Sequence, residues 1–363
     1  QPSRGSGRGR DDSIMERLRP LLARLQRLFG PDSAAVVQSL VALAVALVAT
    51  LLAGLVLASS QDRLEALPGL LLLVPGAIAQ RGNVFGALGS RLGTALHAGT
   101  FRISRRPDTL FGQNILASIS LSLVAATWLA VLAKLLSLAF DVANAMSLLD
   151  FLAVSVVGGL MASLLVLGIT LGLAAGSTRF GWDMDNVTAP LVTATGDLVT
   201  LPALILASAV VGGSALSEVV GVGALVATAA ALALIRRSDL ALLKRIVAES
   251  LPVLALASTL SLVAGITVEK QLDSFLESPS LLILVPTYFG MAGALGGILA
   301  SRLSSKIHLG LVTQSWFPQR AAWADIRGVA TLALPIFLLV GVGAFVGAQI
   351  VDAAGPSIVE MVG

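Results

Sequence analysis

The chain has 363 residues, 56% hydrophobic and 12% charged, with a net charge of +3 and no cysteine. Soluble domains carry about 45–50% apolar and about 25% charged residues, so a mean hydropathy of +0.91 excludes an ordinary water-facing protein. The missing cysteines exclude a disulfide framework, an iron–sulfur cluster and a cysteine-ligated zinc, and aromatics at 5% leave too little base-stacking surface to expect nucleic acid as a partner.

Residues 1–12 are rich in Gly, Ser and Arg and read as disordered. Residues 13–29 place Ile14, Leu18, Leu21, Leu22, Leu25 and Leu28 on one face with arginines elsewhere. That pattern predicts an interfacial helix on an anionic membrane surface, kinked or begun at Pro20. A helix needs about 20 apolar residues to cross a bilayer. Nine such runs follow: 34–59, 67–98, 112–140, 149–175, 187–212, 216–235, 246–267, 279–306 and 326–350. Their length and Gly/Ala/Val/Leu content predict an all-α, polytopic helical bundle rather than a β-barrel.

Basic residues alternate along the chain. Seven arginines precede span one; Arg102, Arg105 and Arg106 fill the second loop, Arg179 the fourth, and Arg236, Arg237, Lys244 and Arg245 the sixth. Lys306 and Arg320 flank the eighth loop, whereas Arg63 and Lys270 are the only basic residues of the intervening ones. The positive-inside rule then predicts a multi-pass protein of the cell membrane with a cytoplasmic N-terminus.

The sequence repeats at an offset of 211. Over 70–99 against 281–310, 13 of 30 positions are identical without a gap, including Pro75/Pro286, Gly82/Gly293, Gly86/Gly297, Ser90-Arg91-Leu92/Ser301-Arg302-Leu303 and the two histidines, His97/His308. The expected organisation is a basic segment (1–33), a five-span first copy (34–212), a linking span with its basic loop (213–244) and a second copy (245–363) lacking its last two spans. Six crossings separate equivalent helices, so the copies share one orientation and a pseudo-twofold along the membrane normal, as in parallel repeats. Either a longer natural chain or a second subunit in a homo-oligomer is expected to supply the missing helices. A longer chain would carry an acid near position 408.

Polar residues concentrate in span five. Asn186, Pro190, Thr193 and Asp197 fall on one helical face, a stripe about 16 Å long. An acid near mid-span costs several kcal/mol unless hydrated, paired or metal-bound, and marks function by default. Mg²⁺ keeps several waters and takes one or two carboxylates, which suits this oxygen-rich stripe; the structural alternative pairs Asp197 with Arg81 or has it cap a broken helix. Asp183 and Asp185 either draw cations to the mouth or cap the helix. Span two holds Pro75 and Gln80-Arg81-Gly82-Asn83, which predicts a break. Asn83 offers an amide oxygen to a hydrated ion or hydrogen-bonds another helix. Arg81 is expected to balance an acid or to snorkel, and Gly86 and Gly297 to serve close helix packing. His97 and His308 either meet headgroups or, brought together, bind a divalent ion or sense pH.

At these residues the chain resembles a known family. Pro75, Arg81-Gly82-Asn83, Ser90-Arg91-Leu92 and His97, followed by Asp183-Met184-Asp185-Asn186, Pro190, Thr193 and Gly196-Asp197, are similar to the two-copy MgtE-type divalent cation transporters and their eukaryotic solute-carrier relatives. The resemblance implies transport of Mg²⁺, or of Mn²⁺ or another divalent cation, through a pore between the copies. It matches Asp197 to the ion-site acid, and Asp183, Asp185, Asn186, Gly82 and Asn83 to the family's other motif positions. No cytoplasmic Mg²⁺-sensing domain is expected in this chain. Two other readings are weaker. An intramembrane aspartyl protease needs two facing carboxylates, whereas Asp185 and Asp197 lie about 18 Å apart along one helix. An anion transporter using helix N-termini conflicts with the acidic stripe. No catalytic residue is assigned.

Overall fold

The computed structural model describes residues 33–97, 99–104, 106–180, 184–210, 215–308, 310–313, 315 and 317–350. The interfacial helix expected over 13–29, and Asp183, lie outside them. All regular structure among the described residues is helical. The helices are α1 (Ser33–Ala58), α2 (Gln61–Ala66), α3 (Leu70–His97), α4 (Leu110–Ala139), α5 (Leu148–Phe180), α6 (Met184–Val210), α7 (Ala215–Arg237), α8 (Ala241–Glu269), α9 (Leu272–Glu277), α10 (Ser280–His308) and α11 (Arg320–Ile350).

Among the described residues, α3, α4, α5, α7, α8, α10 and α11 contain stretches long and apolar enough to cross a membrane. In α1 and α6 the apolar described stretches are shorter, Leu43–Ala58 and Ala194–Val210. The chain is thus an all-α membrane protein. Large apolar side chains stand 64% to 70% exposed on the outside: Val219, Val226, Leu234, Leu256, Leu260 and Leu334. Such a surface suits hydrocarbon and not water. Helices run past the apolar windows that announce them. α11 begins at Arg320 and α8 at Ala241, because backbone hydrogen bonding continues where hydropathy has already fallen. The short α2 and α9, polar and six residues each, lie where only loops were expected.

Local chemistry explains several helix starts. Thr109 opens α4 by accepting from Gly112 N at 3.1 Å. Ser147 and Asp150 form a reciprocal box before α5: the hydroxyl accepts from Asp150 N, and the carboxylate accepts from Ser147 N. α3 follows Pro68-Gly69, which offers no capping side chain. The carboxylate of Glu269, 200 residues further on, accepts instead from Gly69 N at 2.6 Å and Leu72 N at 3.0 Å. Sequence reading passed over Glu269. The available signal was the uncapped start of α3, whose free amides need an acceptor.

The break expected in span two is absent, since α3 runs unbroken through Pro75. Proline removes one hydrogen bond and crowds the preceding turn. Here Leu70–Val74 are each at most 1% exposed, so neighbouring helices hold that turn in place. Pro252, Pro286 and Pro335 likewise sit inside continuous helices.

Adding 211 to the last residues of α1, α2 and α3 gives the last residues of α8, α9 and α10. Gly99 and Gly310, the same distance apart, follow α3 and α10 with φ of +66° and +69°. The packing is reciprocal as well. Gly54 of α1 lies against α10, where an added Cβ would stand 2.5 Å from Ile283 O. Gly265 of α8 lies against α3, where it would stand 2.5 Å from Leu72 O. α1 therefore packs closely on α10, and α8 on α3. The main core joins the halves, with Leu57 and Leu71–Leu73 packed among Leu262, Ile266, Leu282 and Ile283.

Candidate functional site

α3 and α10 touch only lightly, and a cavity of about 500 Å³ opens between them. Pairs at the 211 offset face it from both sides: Ile78 and Phe289, Ala79 and Gly290, Gly82 and Gly293. Gly296, Gly297 and Ala300 extend the α10 wall, Pro75 and Asn83 belong to the α3 wall, and α8 adds Ser261. The acid is Asp197, at the midpoint of α6.

Asp197 is only 2% exposed. Its Oδ2 is buried and accepts no hydrogen bond. The carboxylate is seated against Gly290: an added Cβ there would meet Thr50 Cγ2 and stand 2.8 Å from Asp197 Oδ2. Thr50 is itself fixed, its carbonyl accepting from Thr287 Oγ1 at 3.2 Å. α1, α6 and α10 thus converge on one carboxylate whose seat exists because residue 290 is glycine. Sequence reading missed Gly290, Thr50 and Ser261, since nothing along the chain marks what faces a distant acid.

Asn83 is exposed on the cavity wall. Asp197 and Asn83 are therefore brought together. Asp185 and Asn186 lie in the first turn of α6 and Thr193 in its interior, but their side chains fall outside the described ones. His97 and His308 end α3 and α10, and the same holds for their side chains. Among the described residues no group of three or more His, Cys, Asp or Glu converges. A cage of dehydrating carboxylates is thus absent there.

Two expectations are corrected. Gly86 and Gly297 do not serve close packing, because an added Cβ at either would meet nothing within 4 Å. Gly82, Gly293 and Gly296 are equally free, so these glycines border open space and widen it. Arg81 does not snorkel: it is 1% exposed, and among the described residues it forms no ion pair in this structure. Its guanidinium points instead toward Gly159 of α5.

The fold and cavity define a polytopic helical membrane protein with one buried acid facing a largely apolar opening to which Asn83 and Ser261 add polar groups. Residues 74–207 match the MgtE family, described as a divalent cation transporter. The segment holds Asn83 and Asp197, and the resemblance read from the sequence is borne out. The chain is 28% identical over 323 residues to solute carrier family 41 member 2 of Xenopus laevis, covering 85% of this chain and 55% of that protein. It is 28% identical over 249 residues to solute carrier family 41 member 3 of Mus musculus, covering 66% and 50%. Against the Homo sapiens member 2 it is 28% identical over 251 residues, covering 66% and 42%. The chain spans about half the length of the curated relatives it matches. These are families of transporters, not enzymes. No solved structure matches the chain.

Proposed function

We propose that this chain conducts divalent cations, Mg²⁺ first and Mn²⁺ as a close substitute, along a pathway through the cavity between α3 and α10. The observation that carries this is the free, buried Oδ2 of Asp197 at a cavity of about 500 Å³. Six waters occupy about 180 Å³ at about 30 Å³ each, so a hydrated Mg²⁺ fits. Asp197 supplies the charge and Asn83 an oxygen to the water shell, in keeping with the preference of Mg²⁺ for few carboxylates and retained water. Thr193, Asn186 and Asp185 continue the path along α6, with Asp183 at the mouth and His97 and His308 at the outer ends of the cavity helices.

The matched register and reciprocal packing of the two halves support two copies around a pseudo-twofold, with boundaries at 34–212 and 245–363 and a linking helix between. A second copy of the α5–α6 unit, from a longer chain or a partner subunit, would complete the far wall. The basic loops support a cytoplasmic N-terminus in the cell membrane.

The test is uptake of Mg²⁺ into vesicles by purified protein, with thermal stability measured in parallel. Asp197→Asn is expected to insert and fold but to lose uptake and its Mg²⁺-dependent stabilisation; chloride is expected to have no effect on stability. Normal uptake by well-folded Asp197→Asn overturns the assignment.

A further inference from the structure

Four charged residues are buried among the described ones: Arg81, Asp197, Glu269 and Asp325. Glu269 accepts from the backbone at Gly69 and Leu72, and Asp325 pairs with Lys306 at 2.7 Å. The remaining two lack such compensation. Asp197 leaves Oδ2 unbonded, and Arg81 leaves Nε and Nη1 unbonded. They are opposite in sign and meet the same helix contact. Arg81 Cβ lies 3.3 Å from where a Cβ on Gly196 would be, one residue before Asp197.

Arg81 occupies a slot lined by glycine. Gly196 leaves its base free, and Gly159 leaves room for the guanidinium, whose Nη2 would lie 2.8 Å from a Cβ there. The preceding and following residues place Arg81 relative to the cavity. Ala79, Gly82 and Asn83 line the opening, and Arg81 is on the other side of the same turn at 100° per residue. One turn of α3 thus presents Ala79, Gly82 and Asn83 to the cavity and holds a buried cation behind them.

Resting on the cation reading above, we propose that Arg81 is the internal counter-cation of Asp197: its guanidinium takes up the carboxylate when the cavity empties and withdraws toward Gly159 when a divalent cation arrives. An acid alone in a dry interior holds a divalent ion tightly and releases it slowly. A cation that competes for the same carboxylate lowers affinity and speeds release, which conduction requires. The second half has Ala292 at the position equivalent to Arg81, so the exchange belongs to the first half alone.

The experiment uses the full chain in detergent and in vesicles, with Mg²⁺ alone as probe. Arg81→Gln is expected to raise the apparent Mg²⁺ affinity in a thermal-shift titration by about tenfold while lowering maximal flux by a similar factor. Arg81→Lys, which keeps the charge, is expected to fall between the two. A merely structural role does not move affinity and flux in opposite directions. Folded Arg81→Gln with the parent's affinity and flux overturns the proposal. Where Arg81→Gln fails to fold, the double variant Arg81→Gln/Asp197→Asn decides: recovered folding supports mutual compensation, and continued failure refutes it. A parent protein indifferent to Mg²⁺ overturns the cation reading itself, and this proposal with it.

Discussion

α3 and α10 are equivalent in sequence and in register, yet they are dressed differently. The apolar window of α3 is 72% buried and that of α10 is 44%. α3 is surrounded by α4, α5, α6 and α8, whereas α10 meets chiefly α1 and α11. The side chains follow the surroundings. α3 carries Arg81 and Asn83, and α10 carries Ala292 and Ala294 at the same positions. The α3 side carries the polar side chains, and α10 contributes shape, above all the Gly290 seat and the open Gly293, Gly296 and Gly297 face. Of the two walls, the α3 wall carries one polar side chain, Asn83, and the α10 wall carries none among its lining residues.

The largest effect is expected where the two walls meet on Asp197. Gly290→Val drives a branched side chain into Thr50 and the carboxylate, and should abolish Mg²⁺-dependent stabilisation. Ala79→Gly, the reciprocal change on the other wall, should leave most of it; equal responses in the two titrations would dissolve the contrast between the walls.

Next come the crossings that the halves share. Gly54→Ala and Gly265→Ala each press a methyl on a backbone carbonyl. Overpacking of this kind costs about 1–3 kcal/mol, and the helix gain over glycine returns about 1 kcal/mol. Both should be destabilised in thermal unfolding, by similar amounts. A large difference would show that the crossings are not equivalent.

Glu269→Gln should cost about 1–2 kcal/mol, since a charged acceptor of two buried amides becomes neutral. Its counterpart test at the start of α10 is Ser280→Ala. Ser280 Oγ is buried without a partner, so its removal should be neutral or mildly stabilising. The smallest effects belong to Gly86→Ala and Gly297→Ala, each within about 1 kcal/mol of the parent and tending to stabilise. Strong destabilisation at either would restore the close-packing role that open space around them denies.

How much of this was legible along the chain depends on the range of the interaction. Hydropathy marks the long helices because lipid-facing and core-facing residues are both apolar, so the run survives whichever way it points. The offset of 211 is visible because Pro75, Ser90-Arg91 and His97 recur with Pro286, Ser301-Arg302 and His308. Asp197 stands out because a mid-span acid is costly in any surroundings. Glycine carries no such mark. Gly54 and Gly86 look alike in sequence, yet one touches a carbonyl and the other nothing. Pro75 misled for the same reason: its local preference for a break is overruled by neighbours that come from residues 200 positions away. Arg81 shows the limit most sharply, since its slot is made by Gly159 and Gly196 on two other helices and not by its own.

The crossing of Gly265 on Leu72 bears on how the protein is made. The two residues are 193 positions apart. At about 5–20 residues per second, α3 waits about 10–40 seconds for the helix that covers it. Throughout that interval the amides of Gly69 and Leu72 lack Glu269, and the backbone at Leu72 lacks its lid. A nascent first half is therefore a membrane-borne intermediate with an open seam. Until α8 arrives, that seam has no cover from α8 of its own chain.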